Sequence, residues 1–177
     1  VVGDDFRFGR GRRGDFSMLQ RAGQSMGFEV ASTQSFMVDD CRISSTAVRE
    51  VLAAGEFEKA GNMLGRPFVI DGRVVHGDKK GRTIGFPTAN VLLKRSRPAI
   101  NGVFAVTVDV NDTRYYGVAN VGSRPTVAGK RTQLEVHIFG YSGSLYGGQI
   151  KVYPVKKLRD EEKFASFDAL KQQIQRD

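Results

Sequence analysis

Apolar positions along the chain follow two different rhythms, and the change between them falls near residues 64–67. Before that point, short apolar runs alternate with helix-spaced ones. VVGDDFRF predicts a short strand, followed by a Gly/Arg-rich loop. Asp15 is placed to cap a helix from about Phe16 to Met26, with Gly27 free to end it. FEVAST predicts a second strand. ISSTAVREVLAAG predicts a helix with Ser44, Ser45 or Thr46 as N-cap and Gly55 beyond its C-terminus. EFEKAGNMLG predicts another, closed by Gly65. The texture of this part is α/β.

From Arg66-Pro67 onward the period changes to two. FVIDGRVVHG, TANVLLK, GVFAVTVDV, RYYGVANVG, QLEVHIFG and GQIKVYPV are six β-rich runs separated by turn signals. Phe104, Val106, Val108 and Val110 alternate with Ala105, Thr107 and Asp109, so this strand buries one face. Val110-Asn111-Asp112-Thr113 predicts a tight hairpin. Six short strands at this spacing suggest a small closed or nearly closed barrel. At the end, Phe167, Leu170 and Ile174 share one helical face, with Ser166 as a cap. Residues 1–65 therefore read as an α/β part, and residues 66–177 as an all-β domain with a C-terminal helix.

Charge sharpens the division. The net charge is +8 over 177 residues. Residues 1–66 hold nine basic and nine acidic residues, so residues 67–177, with eighteen and ten, carry all of the excess. A basic half points to an anionic partner: nucleic acid, a phosphate-bearing small molecule or an acidic surface. Cys41 is the sole cysteine, so no internal disulfide forms, which fits a reducing cytoplasm. No apolar run approaches the roughly 18 residues of a membrane span.

Two glycine-rich stretches imitate nucleotide motifs. Gly9-Arg10-Gly11-Arg12-Arg13-Gly14 matches GxGxxG. The strand before it carries Asp4, Asp5 and Arg7, unlike the apolar first strand of a doubly wound sheet. Gly77-Asp78-Lys79-Lys80-Gly81-Arg82-Thr83 is one residue short of a P-loop and has Arg where that motif needs Lys.

The second stretch nevertheless leads into informative chemistry. Gly77, Gly81 and Gly85 let backbone N–H groups approach an anion, and Lys79, Lys80 and Arg82 add positive charge. Pro87 fixes its own φ and pushes Phe86 toward extended geometry. Thr88 and Asn90, two apart at the start of a strand, face one side. Their neutral oxygens are ligands that Mg²⁺ accepts when phosphates supply the negative charge. Glu135 shares a strand face with Gln133 and His137, and it is the only acid between Asp112 and Asp160. A carboxylate among cations stays ionised and accepts a proton from an alcohol attacking a phosphate.

At these residues the sequence resembles the riboflavin kinase family. VVHGDKKGRTIGFPTAN, GVANVGSRPTV, LEVHIFGYSGSLYG and LRDEEKFASFDALKQQI are similar to its segments, in order, across residues 66–177. The resemblance implies a six-stranded Greek-key barrel with a C-terminal helix. It also implies transfer of the ATP γ-phosphate to the ribityl 5′-hydroxyl of riboflavin, giving FMN and ADP. Carried over, Thr88 and Asn90 would hold Mg²⁺ and Glu135 would be the base. Gly77, Lys79, Gly81, Arg82 and Thr83 would cover the nucleotide phosphates, with Pro87 and His137 at the nucleotide. Arg159 and the 141–146 loop, through Tyr141, Leu145 and Tyr146, would hold the flavin.

Residues 1–65 resemble the later part of the adenylyltransferase module of bacterial bifunctional riboflavin kinase/FAD synthetases, in VVGDDFRFGRGRRGDF and ISSTAVREVLAAG. There Asp5, Ser45, Thr46 and Arg49 would lie around FMN and ATP. The module's His-containing nucleotide-binding motif has no counterpart, because the two histidines, His76 and His137, both lie in the barrel part. The expectation is a piece of a longer protein that retains kinase chemistry without adenylyl transfer. Two rivals stand beside this reading. One is a nucleic-acid-binding barrel that stacks bases on Tyr115, Tyr116 and Tyr141. The other is a flavin carrier without catalysis. Neither nucleic acid nor membrane is an expected partner of the kinase.

Overall fold

The computed structural model describes residues 1–3, 5–33, 37–38, 41–77, 86–93, 98–126, 129–162 and 164–177, without the side chains of 38, 41, 123–131 and 167. The chain divides into two compact units, Val1–Ala47 and Val48–Asp177.

In the first unit, β1 (Val2–Gly3) pairs in parallel with β2 (Ser32–Thr33). Both strands are shorter than the sequence predicts. Phe6 N–H donates to the Gly3 carbonyl (3.1 Å) and turns the chain away after β1. Helix α1 (Phe16–Met26) has Asp15 as N-cap, its carboxylate accepting from Met18 N–H. Gly27 ends the helix at φ 77°, and the N–H groups of Gly27 and Phe28 both donate to the Gly23 carbonyl. That lock holds Phe28 on the helix end, so the strand read in FEVAST shrinks to its last two residues. A short antiparallel pair, β3 (Met37–Val38) with β4 (Cys41–Arg42), follows, and the sequence pattern had not announced it. The GxGxxG stretch closes on itself: Phe8 and Gly14 exchange both backbone bonds, at 3.0 and 2.9 Å, so it forms a self-contained loop. Helix α2 (Ser45–Ala54) opens with Ser44 Oγ accepting from Ala47 N–H.

The second unit is built on a closed barrel of β5 (Ile70–Val75), β6 (Ala89–Leu93), β7 (Gly102–Val110), β8 (Thr113–Thr126), β9 (Gly129–Ile138) and β10 (Gln149–Arg159). Neighbours around the ring run β10-β5-β6-β9-β8-β7, all antiparallel. The chain crosses from β6 to β7 and then returns through β8 so that β9 closes on β6. This is the Greek-key path. Asn111 (φ 47°) and Asp112 (φ 63°) make the β7–β8 turn in left-handed backbone, the tight hairpin the sequence predicts.

Alternation fills the interior. Phe104, Val106, Val108, Val110, Ala119, Val121, Leu134, Val136, Ile150 and Val152 point inward, each at most 3% exposed. Full burial of each of the larger ones contributes about 1.5–3 kcal/mol over exposure. Leu52 of α2, and Phe57 and Ala60 of α3 (Phe57–Leu64), belong to the same core. Phe57 meets Phe104 edge-on at 5.7 Å. Gly65, at φ 66°, stops α3. Helix α4 (Phe167–Arg176) begins with Ser166 Oγ accepting from Ala169 N–H.

Candidate functional site

Directly paired residues of antiparallel strands share a face. Register therefore places one outward row across the barrel: Val75, Asn90, Glu135, Asn120, Val103 and Arg159, one from each strand. The two residues expected to act as ligand and base, Asn90 and Glu135, are immediate neighbours in it.

Asn90 is 7% exposed, unusual for an outward amide. Its Nδ2 donates to the Thr88 carbonyl (3.3 Å), which turns its Oδ1 toward β9. There the Gln133 side-chain N–H₂ donates to Asn90 Oδ1 and also to Glu135 Oε1 at 3.1 Å. Gln133 was passed over in the sequence, although the alternation of β9 already set it beside Glu135. Gly77 makes room for this arrangement. A methyl group on Gly77 would lie 2.6 Å from Asn90 Oδ1, so any side chain there would force the Asn90 amide to move.

The turn before β6 is braced from β9. His137 Nδ1 lies 2.9 Å from the Pro87 carbonyl, and because a carbonyl only accepts, Nδ1 carries the proton. The His137 ring meets Phe86 edge-on at 5.4 Å. His137 therefore holds the turn that delivers Thr88 and Asn90 and leaves Nε2 as its remaining polar atom. Lys79, Gly81, Arg82 and Thr83 lie outside the described residues.

The loop after β9 reaches the same region through β5. Gly147 N–H donates to the Val74 carbonyl, and Val74 N–H to that of Gly148, both at 2.9 Å. Tyr146 stacks on His76 with centroids 4.0 Å apart, next to the Gly77 that packs on Asn90. His76 was not singled out from the sequence, since nothing local marks a histidine at a strand end. Tyr141 packs edge-on to Tyr115 at 5.4 Å, and Tyr141 and Leu145 both rest against the core.

At the far end of the row, Arg159 stands three ladders from Glu135, roughly 14 Å along the curved barrel wall at normal strand spacing. Its guanidinium is engaged by Asp177, at 2.9 Å from Nε and 2.7 Å from Nη2, and Gln173 donates to the same carboxylate. The pair is sequestered, with side-chain exposures of 17% and 4%. Burial pushes the Asp177 carboxyl up, but the bonds from Arg159 and Gln173 outweigh it and hold the group below the usual carboxylate range. Between Glu135 and Arg159, Asn120 donates to Glu161 Oε1 (3.3 Å), while its own Oδ1 is buried without a partner among the described residues.

In the first unit, Asp5 pairs with Arg42 at 3.1 Å. Ser45 and Thr46 form the first turn of α2, and Arg49, which belongs to the second unit, is exposed on the second turn.

A family model described as riboflavin kinase matches residues 64–177, and one described as FAD synthetase matches residues 1–47. The bifunctional riboflavin kinase/FMN adenylyltransferase of Escherichia coli (strain K12) is 56% identical over 178 residues, covering 100% of this chain and 57% of that protein. The protein of the same description from Haemophilus influenzae is 51% identical over 177 residues, covering 99% of this chain and 58% of its own length. A crystal structure described as a macrolide-efflux protein from Streptococcus pneumoniae matches with a TM-score of 0.73 at 34% identity, covering 100% of this chain and 57% of that one. The chain thus spans somewhat more than half the length of the curated relatives it matches. Among the described residues, no helix is long and apolar enough to cross a membrane. The nucleic-acid alternative loses its support: Tyr115 and Tyr141 are packed on each other, and of the three tyrosines Tyr116 alone, at 72%, is well exposed.

Proposed function

The chain belongs to the riboflavin kinase family, and on that footing we propose that its barrel phosphorylates riboflavin at the ribityl 5′-hydroxyl with ATP, giving FMN and ADP. The observation that carries the reading is the adjacency of Asn90 and Glu135 on one outward row, joined through Gln133.

The residues divide the work as follows. Glu135 accepts the proton of the ribityl hydroxyl as its oxygen bonds to the γ-phosphorus. The bond from that phosphorus to the bridging oxygen breaks, and ADP leaves with the electron pair. Thr88 and Asn90 present neutral oxygens, and the aim of Asn90 Oδ1 away from its own backbone suits a hard divalent cation such as Mg²⁺. That cation, brought with ATP, would supply charge neutralisation on the phosphates. His137 and Pro87 keep the β6 entry rigid, and Gly77 to Thr83 cover the nucleotide. Tyr141, Leu145 and Tyr146, with His76 beneath Tyr146, border the flavin. Arg159 reaches that side only by sharing or leaving Asp177.

The match of residues 1–47 to FAD synthetase supports an adenylyl-transfer half in the longer relatives, in which Asp5, Ser45, Thr46 and Arg49 would line the nucleotide and FMN. We assign the kinase step to the barrel. The cytoplasm, where ATP is plentiful and a lone cysteine stays reduced, is the compartment this reading expects. Incubating the protein with riboflavin and Mg·ATP should yield FMN and ADP in equal amounts. Bound flavin without ADP formation would leave a carrier instead.

A further inference from the structure

The kinase reading leaves Gln133, two positions before Glu135 on the same face of β9, without a task. Gln133 lies on β9 opposite Leu92 of β6 and Gly122 of β8, on the outward face. Its amide donates to both Asn90 and Glu135. A side-chain amide has two N–H donors and one carbonyl. Here both accepting oxygens are met from the N–H₂ end, one a neutral amide oxygen and the other a carboxylate. An amide so pinned cannot turn over without setting its carbonyl against both acceptors. Neighbouring structure supports its position. Gly122 offers no side chain beside it, and Glu161 occupies the space a side chain there would need, 2.6 Å from Oε2 to the position of a Cβ.

Resting on the kinase reading, we infer that Gln133 is a positioning residue: its two N–H donors fix the Asn90 oxygen and the Glu135 carboxylate in one orientation before substrates arrive. Without those bonds Glu135 loses the donor that ties it to Asn90, and the Asn90 amide is left with its Nδ2 bond to the Thr88 carbonyl. A shift of about 1 Å in either group costs on the order of a hundredfold in rate. The residue acts through its neighbours and does not itself meet the phosphoryl group.

Gln133→Met separates positioning from packing, since methionine keeps the length and bulk of the side chain and removes the donors. The expected result is a kcat lower by roughly ten- to hundredfold, with the riboflavin KM within about threefold of wild type and the melting temperature nearly unchanged. In spectra of ¹⁵N-labelled protein the Asn90 side-chain amide pair should shift, a readout independent of turnover. Gln133→Glu, of the same shape with acceptors in place of donors, should lose at least as much. Should the methionine variant fold poorly, the glutamate variant carries the test alone. Wild-type turnover in a folded variant, together with an unmoved Asn90 amide signal, would overturn the assignment. If the wild-type protein itself forms no FMN, the kinase reading fails, whichever way the variants behave.

Discussion

Asn90 and Glu135 stand opposite one another on neighbouring strands, 45 positions apart in the chain and paired in register. Neither sits on a flexible loop, so their separation is set by the barrel ladder. In the base role we propose for it, a carboxylate held this way has its reach fixed before the alcohol arrives.

Glu135→Gln keeps the shape and removes the proton acceptor. Turnover of riboflavin to FMN is expected to fall by about 10²- to 10⁴-fold, while ATP binding by calorimetry changes little. Undiminished turnover would take the base role away from Glu135.

Gly77→Ala should act through Asn90. The added methyl group must displace the Asn90 amide, because its oxygen lies 2.6 Å from the new carbon. We expect a loss of about 1–3 kcal/mol in denaturant unfolding, with a raised Mg²⁺ requirement for turnover. Asn90→Ala should raise that requirement without the same stability loss. A Gly77→Ala protein with normal stability and metal dependence would show that the crowding relaxes elsewhere.

The Arg159–Asp177 pair makes stability sensitive to acid. The Asp177 pKa is depressed in the fold, so its contribution is present above the ordinary aspartate value of about 3.9 and is lost as pH falls through the folded value. Asp177→Asn should cost about 1.5–3 kcal/mol near pH 7, and the difference from wild type should shrink below about pH 4. Urea titrations at several pH values measure it, and a gap that persists unchanged at low pH would remove the pair as its cause.

Asp112 tests the turn. At φ 63° it occupies backbone that glycine adopts freely, in a hairpin for which Asn-Gly is favoured. Asp112→Gly should stabilise by roughly 0.5–1 kcal/mol and leave turnover unchanged. A lower melting temperature would mean that the Asp112 side chain supports the turn in ways its backbone does not reveal.

The sequence disclosed most where the signal was local. The Asp15, Ser44 and Ser166 caps, the Gly27 and Gly65 stops and the Asn111-Asp112 turn each depend on a few adjacent residues, and each appears as read. The barrel was legible because alternation over six runs leaves one apolar face to close upon. Pairing between distant strands was hidden, since period two assigns a residue to a face without naming the residue across from it. That is why Glu135 and Asn90 could be picked separately while Gln133, which joins them, was overlooked. The resemblance gave Arg159 to the flavin, and its pairing with Asp177, eighteen residues later, went unread because Asp177 gives no local sign of reaching back to it. The strand in FEVAST came out shorter than read for a similar reason, as Phe28 is recruited by the helix end before it.

The Greek-key crossover carries a kinetic consequence. Asn90 and Glu135 come from strands that meet only when the long β6-to-β7 excursion returns, so no early hairpin contains both. Loop closure of that length is slow compared with local helix formation. A nascent or partly unravelled chain would therefore hold its tyrosines and helices long before it could spend ATP, and recovery of turnover after dilution from denaturant should lag behind recovery of helical signal.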